Sequence, residues 1–226
     1  MADREVALIV GAGSGLSAAL ARLLAREDMT VALAARDVGK LAALAGETGA
    51  SAYACDASRA EDVAVLFADV GRDLGAPSLV VYNPSYRTRG PLVELEAADV
   101  RRALEVTAFG AFLVGQAAAR EMLAAGRGSI LFTGASASVK GYANSAPFAM
   151  GKFAQRGLAQ SMARELAPRN IHVAHFVIDG AIGPAGGRSD DRLDPDAIAE
   201  TYLHIHRQPR SAWTWEVELR PWLEKF

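Results

Sequence analysis

The chain has one cysteine, Cys55. No internal disulfide can form, which fits a reducing compartment. Blocks of like charge are missing too, and 24 Lys and Arg against 26 Asp and Glu leave a net charge of −2. That balance argues against nucleic acid or an anionic membrane surface as the main partner. No apolar run reaches the ~20 residues of a membrane span. The opening MADREVALIV, with Asp3 and Glu5 around Arg4, runs straight into a strand pattern rather than through a secretory leader. A metal cluster is not evident, because His204 and His206 stand two apart, project differently on a helix, and have no accompanying carboxylate–cysteine group. The expectation is a cytoplasmic protein that acts on a small molecule and binds neither nucleic acid nor membrane.

What the chain does have is 226 residues, 51% of them hydrophobic, enough for one well-buried core and short for two. Short runs rich in Val, Ile and Leu stand at Val6–Val10, Val31–Ala34, Ala52–Cys55, Leu79–Tyr82, Ile130–Thr133, Val173–Ile178 and Val217–Leu219. Helical patterns separate them, at Gly15–Arg26, Val38–Gly46, Ala60–Leu74, Ala97–Ala124, Ser145–Leu166 and Pro195–His206. Apolar strands alternating with helices predict a parallel sheet covered on both faces. With right-handed crossovers this is a single α/β domain over residues 1–226, a three-layer doubly wound Rossmann fold of about seven strands. The Gly-rich, charged segment Gly183–Asp194 reads as a mobile lid.

The first strand ends in Gly11-Ala12-Gly13-Ser14-Gly15-Leu16-Ser17, and a helical pattern follows at once. Glycines there let the backbone turn tightly and approach a pyrophosphate at the positive end of a helix. The G-x-G-x-x-G spacing fails at Leu16. The segment instead resembles the G-x-x-x-G-x-G turn of the short-chain dehydrogenase/reductase family, with Gly11 and Gly15 in register and Ser17 in place of the last glycine, at a modest expected loss of fit. The resemblance extends over almost the whole chain, and it implies a nicotinamide cofactor. After the second strand, Ala35 leaves no acid for the ribose hydroxyls, and Arg36 suits a 2′-phosphate, which favours NADP over NAD. The resemblance assigns Asp56 to the adenine, although it also suits a turn before the next helix. It assigns Asn83 to the central strand and the adenosine side, and Gly180 and Ile182 to the back of the nicotinamide.

At the reacting end the same register departs from the family. The usual set is Asn, Ser, Tyr and Lys; these positions fall on Thr107, Ala135, Phe148 and Lys152. Phenylalanine has no ionisable proton, so acid–base catalysis from position 148 is gone, a term usually worth ~10²–10⁴-fold. Lys152, four residues after Phe148 and on the same helix face, is implied to hold the nicotinamide ribose. Tyr142 is the first candidate for a substitute donor, with Ser136, Ser138, Tyr82 and Tyr86 behind it. Each of these also reads as an ordinary loop or surface hydroxyl. His172 and His175 read as packing or surface residues of the sixth strand, and Cys55 as a small buried group. The long helices at Ala97–Ala124 and Ser145–Leu166 carry apolar faces beyond what one sheet face needs, and the resemblance implies a two-helix seam, hence a homodimer or homotetramer. The implied function is NADP-dependent oxidation or reduction of a small carbonyl, alcohol or activated alkene. The alternative is a non-catalytic NADP-binding subunit or redox-state sensor.

Overall fold

The computed structural model describes residues 4–187 and 189–225. Asp3 of the opening segment and Arg188 of the Gly183–Asp194 segment lie outside the described residues. Seven strands form one parallel sheet in the order β3-β2-β1-β4-β5-β6-β7. They are β1 (Val6–Val10), β2 (Thr30–Ala35), β3 (Ser51–Ala54), β4 (Leu79–Tyr82), β5 (Gly128–Thr133), β6 (Ile171–Ile178) and β7 (Glu216–Leu219). The helices are α1 (Leu16–Arg26), α2 (Ala42–Thr48), α3 (Ala60–Asp73), α4 (Ala97–Leu104), α5 (Gly110–Ala125), α6 (Ala146–Leu166) and α7 (Pro195–His206). This is the doubly wound α/β architecture that the alternation of elements predicts.

Strand pleating divides the core into two layers, because successive side chains point to opposite faces. On β1, Ala7 and Ile9 pack with α1 and α7, while Val6, Leu8 and Val10 pack with α3, α5 and α6. Central strands β1, β4 and β6 are buried along their whole length. The edge strands differ from the two-sided apolar expectation. In β3 the residues alternate between half-buried and exposed, and β7 is largely half-buried, since each has a neighbour on one side only.

Two helices also depart from their sequence reading. The stretch Ala97–Ala124 is divided into α4, a π-helical turn at Glu105–Phe109, and α5. The widened turn carries Thr107, whose wholly buried side chain faces Gly151 of α6, where an added Cβ would come within 2.9 Å of it. The Val38 pattern opens as a 3₁₀ turn at Val38–Leu41, capped by the Asp37 side chain, and becomes α-helical only at α2. Among the described residues no helix is long and apolar enough to cross a membrane.

Candidate functional site

The strand order reverses between β1 and β4, and ligands of such sheets sit outside the strand ends at that point. A cleft of about 650 Å³ opens there. Its lining comes from the ends of four strands, with Gly11, Gly13 and Ser14 after β1, Arg36 after β2, Asp56 after β3 and Asn83 after β4.

Gly11 is fixed in this role by geometry. Its φ is +81°, and an added Cβ would meet the Pro84 nitrogen at 2.6 Å. Gly13 and Gly15 behave differently, since a Cβ on either would meet nothing within 4 Å. The space above them is open, and Gly15 is the N-cap of α1 with no side chain to satisfy the helix's free N–H groups. This is the arrangement that accepts a phosphate. Leu16 contributes main chain only, because its side chain is buried in the core.

Ser17 does more than spare room. Its hydroxyl donates to the Gly11 carbonyl (3.2 Å) and accepts from Asn83 Nδ2 (2.8 Å). Asn83 N–H in turn donates to the Val10 carbonyl at 2.9 Å. The serine thus ties the glycine turn to the end of β4. The serine hydroxyl is the sequence signal for this link.

Asp56 is held by its own turn and by a distant helix. Oδ1 accepts from the Ser58 N–H (3.0 Å) and hydroxyl (2.6 Å), and Oδ2 accepts from Arg102 of α4 (3.1 Å). Burial pushes its carboxyl pKa up, but the Ser58 and Arg102 bonds outweigh that and hold it below the usual range. Arg102 is a residue that sequence reading did not find, since it lies 46 positions away. Arg36 is exposed at the cleft and has no ion-pair partner among the described residues. Asp37, which could have neutralised it, instead accepts from Gly39 N–H (3.1 Å) and pairs with Lys40 at 3.4 Å. Cys55 lines the cleft floor, and burial followed by Asp62 and Asp56 pushes its thiol up to about 12.

Gly180 follows β6 with φ +148° against Pro221. Ile182 bridges to Leu193 through its neighbours, with Leu193 N–H donating to Ala181 (2.9 Å) and Gly183 N–H to Leu193 (2.8 Å). Alternation along the strand turns the main chain of Ile182 itself the other way. That bridge, and a bond from Leu223 N–H to the Asp190 carbonyl (2.9 Å), tie down the Gly183–Asp194 segment at two points.

Phe148 and Lys152 both project from α6 into buried surroundings. The Lys152 ammonium donates to the Thr133 carbonyl (2.5 Å) and to Gln155 Oε1 (3.1 Å), and it does not line the cleft. Burial first, then the like charge of Arg87, lowers its pKa to about 7. Arg87, in the loop after β4, stacks its guanidinium 4.3 Å over the Phe148 ring.

The remaining hydroxyls separate cleanly. Tyr82 is buried and donates to the Val106 carbonyl (2.5 Å); Tyr86 donates to Asp99 (3.2 Å). Ser138 accepts from Ala135 N–H (3.1 Å), and Thr107 accepts from Tyr86 N–H (3.4 Å). Ser136 and Tyr142 line a second cavity of about 590 Å³ together with Arg87, Arg89 and Ser145. The histidines of β6 are packing residues rather than surface ones, since His172 bonds the Thr214 carbonyl (2.8 Å) and His175 bonds Glu216 (3.0 Å). Among the described residues, no group of three or more His, Cys, Asp or Glu could hold a metal ion.

Residues 5–183 match the family model described as short chain dehydrogenase. The chain belongs to that family. It is 28% identical over 218 residues to carbonyl reductase family member 4 of Xenopus tropicalis, covering 91% of this chain and 92% of that protein. A short-chain dehydrogenase structure from Rhodopseudomonas palustris aligns with TM-score 0.87 at 35% identity, covering 96% of this chain and 98% of that one. A metagenomic short-chain oxidoreductase, solved in complex with NADP, aligns with TM-score 0.86 at 29% identity, covering 96% and 97%. The named relatives are reductases and oxidoreductases.

Proposed function

We propose that this protein is an NADP-dependent oxidoreductase with an atypical active site, acting on a small carbonyl, alcohol or activated alkene. Arg36 carries the cofactor choice. It is a guanidinium at the end of β2, without a counter-ion among the described residues, at the cleft where open glycines and the α1 N-terminus await a pyrophosphate. Gly11, Gly13, Ser14, Gly15 and Leu16 hold the phosphates, Asp56 and Asn83 the adenosine side, and Gly180 and the Ile182 main chain the nicotinamide. The cofactor supplies or accepts a hydride. Ala135 and Phe148 occupy the places of the family's serine and tyrosine. The family register puts Lys152 at the nicotinamide ribose, which its ammonium reaches only by leaving Thr133 and Gln155. Thr107 on the π-helical turn packs against Gly151 of α6, while Tyr142 and Ser136 offer hydroxyls to a substrate oxygen. The metagenomic relative solved with NADP supports the cofactor, and the carbonyl reductase relative supports the reaction class.

Titration with NADPH and NADH, followed by assays with aldehydes, ketones, quinones and enones at several pH values, tests this. NADPH should bind tighter, and Arg36→Asp should reverse the order by replacing a phosphate partner with a repelling charge. Equal or tighter NADH binding by the wild type would sink the assignment of Arg36.

Two observations favour a second reading, a silent NADP-binding subunit or redox-state sensor. Phe148 has no proton to give, and the Lys152 ammonium is turned toward Thr133 and Gln155. NADPH binding without turnover of any substrate would select that reading.

We also propose that the protein assembles as a dimer or tetramer. Phe109 and Phe112 stack at 6.2 Å on the surface of the α4–α5 rod, and Met150 and Phe153 of α6 are about half exposed. Aromatic side chains left in water at such cost are expected to be covered by a second copy. A monomer by light scattering at micromolar concentration removes this proposal.

A further inference from the structure

The cavity shared by the loop after β4 and the start of α6 has a chemistry that reduction of a neutral carbonyl does not require. Its ionisable lining groups are Arg87, Arg89 and Tyr142, with no carboxylate among them. Neither arginine has an ion-pair partner among the described residues. Burial and then the Arg89 charge lower the pKa of Arg87. Both guanidiniums are exposed at the cavity, so an anion entering it meets two cations and no competing carboxylate.

The opposite wall adds donors. Ser145 is the N-cap of the 21-residue α6, yet its side chain makes no capping bond. It is only 6% exposed and lines the cavity. That hydroxyl opens on the cavity at a helix N-terminus whose first N–H groups lack helical acceptors, so it is placed for an incoming acceptor. The two walls are held in register by a bond from Gly90 N–H to the Asn144 carbonyl (3.1 Å). Arg87 also extends from this cavity over the Phe148 ring, next to the position where the chemistry is expected.

We propose that this cavity binds the anionic group, a carboxylate or a phosphate, of the substrate, gripped by Arg87 and Arg89 and by the Ser145 end of α6. The word substrate rests on the oxidoreductase reading above; the anion site itself does not. Arg87 would act twice, holding the anion on one side while its stacking on Phe148 sets the distance from that group to the reacting carbon. Neutral ketones of the same size would be poor ligands.

Calorimetric titration of the NADP⁺-saturated protein at low ionic strength tests this, with inorganic phosphate and acetoacetate as probes and acetone as the neutral comparison. NADP⁺ keeps the phosphate probe out of the cofactor cradle. At least one anion should bind with a Kd of about 1 mM or tighter, and the Arg87→Gln/Arg89→Gln variant should weaken it ~10-fold or more. Which of the two probes binds identifies the head group. Binding of neither anion, or unchanged binding in the double variant, overturns the proposal. If loss of Arg87 unseats Phe148 and the double variant melts early, Arg89→Gln alone carries the test, with a several-fold loss expected and no loss overturning it. If the wild type fails to bind NADP⁺, the oxidoreductase reading falls instead. The anion titration still reads this cavity, because binding in the empty cradle does not depend on Arg87 or Arg89.

Discussion

The cofactor cleft and the arginine-lined cavity share one loop, with Ser85 facing the first and Arg87 the second. They are built of different material. The cleft is made mainly of strand ends, open glycines and a helix terminus, so its shape follows from the backbone. The cavity is made of side chains on two loops and one helix start, so its chemistry changes with each substitution. A site of the first kind is marked in the sequence by its backbone pattern, and one of the second kind is not.

The largest expected effect breaks the cleft through its backbone. Gly11→Val forces a side chain onto Pro84 at a left-handed φ, and stability should fall on the order of 3 kcal/mol or more, with loss of cofactor binding. Gly13→Ala sharpens the same point, because its Cβ meets nothing in the protein. Stability should stay within about 0.5 kcal/mol, while NADPH affinity drops ~10-fold as the methyl enters space kept for the pyrophosphate. Thermal melting and fluorescence titration read both. Equal cofactor affinity in Gly13→Ala would show that the open space is not the cradle.

Next in size is the buried lysine. Lys152 holds its proton only below about 7 in the fold, against an ordinary 10.5. Between those values the unfolded chain binds the proton and the native state does not, so wild-type stability rises with pH there. Below pH 7 both states are charged, and the burial penalty is present in full. Relative to Lys152→Met, the wild type should therefore gain a few kcal/mol between pH 7 and 10. Urea unfolding of both proteins across that range checks it, and a difference that stays flat removes burial as the cause of the shift.

The fold was legible because periodicity is a property of many residues at once. The runs at Val6–Val10, Leu79–Tyr82 and Pro195–His206 match their elements end for end. The π-helical turn at Glu105–Phe109 was not legible, because an inserted residue leaves an alanine-rich helical pattern nearly unchanged. At the site, the glycine turn, Arg36, Asp56 and Asn83 converge on one cleft as read. Lys152 was read correctly as an α6 residue, but its turn toward Thr133 depends on packing that spacing cannot express. The Arg102–Asp56 pair and the stacking of Arg87 on Phe148 join segments 46 and 61 positions apart. No local pattern marks such contacts.

The smallest expected effect introduces a proton donor in the side-chain region. Phe148→Tyr keeps the ring beneath Arg87, a cation that favours the ionised form of a phenol placed there. Ala135→Ser adds the family hydroxyl at a half-buried position with extended backbone, φ −158° and ψ 171°, so no strain opposes it. The double variant should gain ketone-reductase activity ~10-fold or more, the lower part of the range for one acid–base group. Tyr142→Phe in the wild type probes the competing donor, and its native turnover should fall if that phenol serves a substrate oxygen. A gain in the double variant with no loss in Tyr142→Phe would mean that position 148 is the proton-donor site and that Tyr142 is a surface residue. A loss in Tyr142→Phe with no gain in the double variant would mean the reverse, a reductase whose acid has moved to the cavity loop. Unchanged rates in both, with NADPH still bound, would leave the silent cofactor-binding subunit as the reading that the geometry supports.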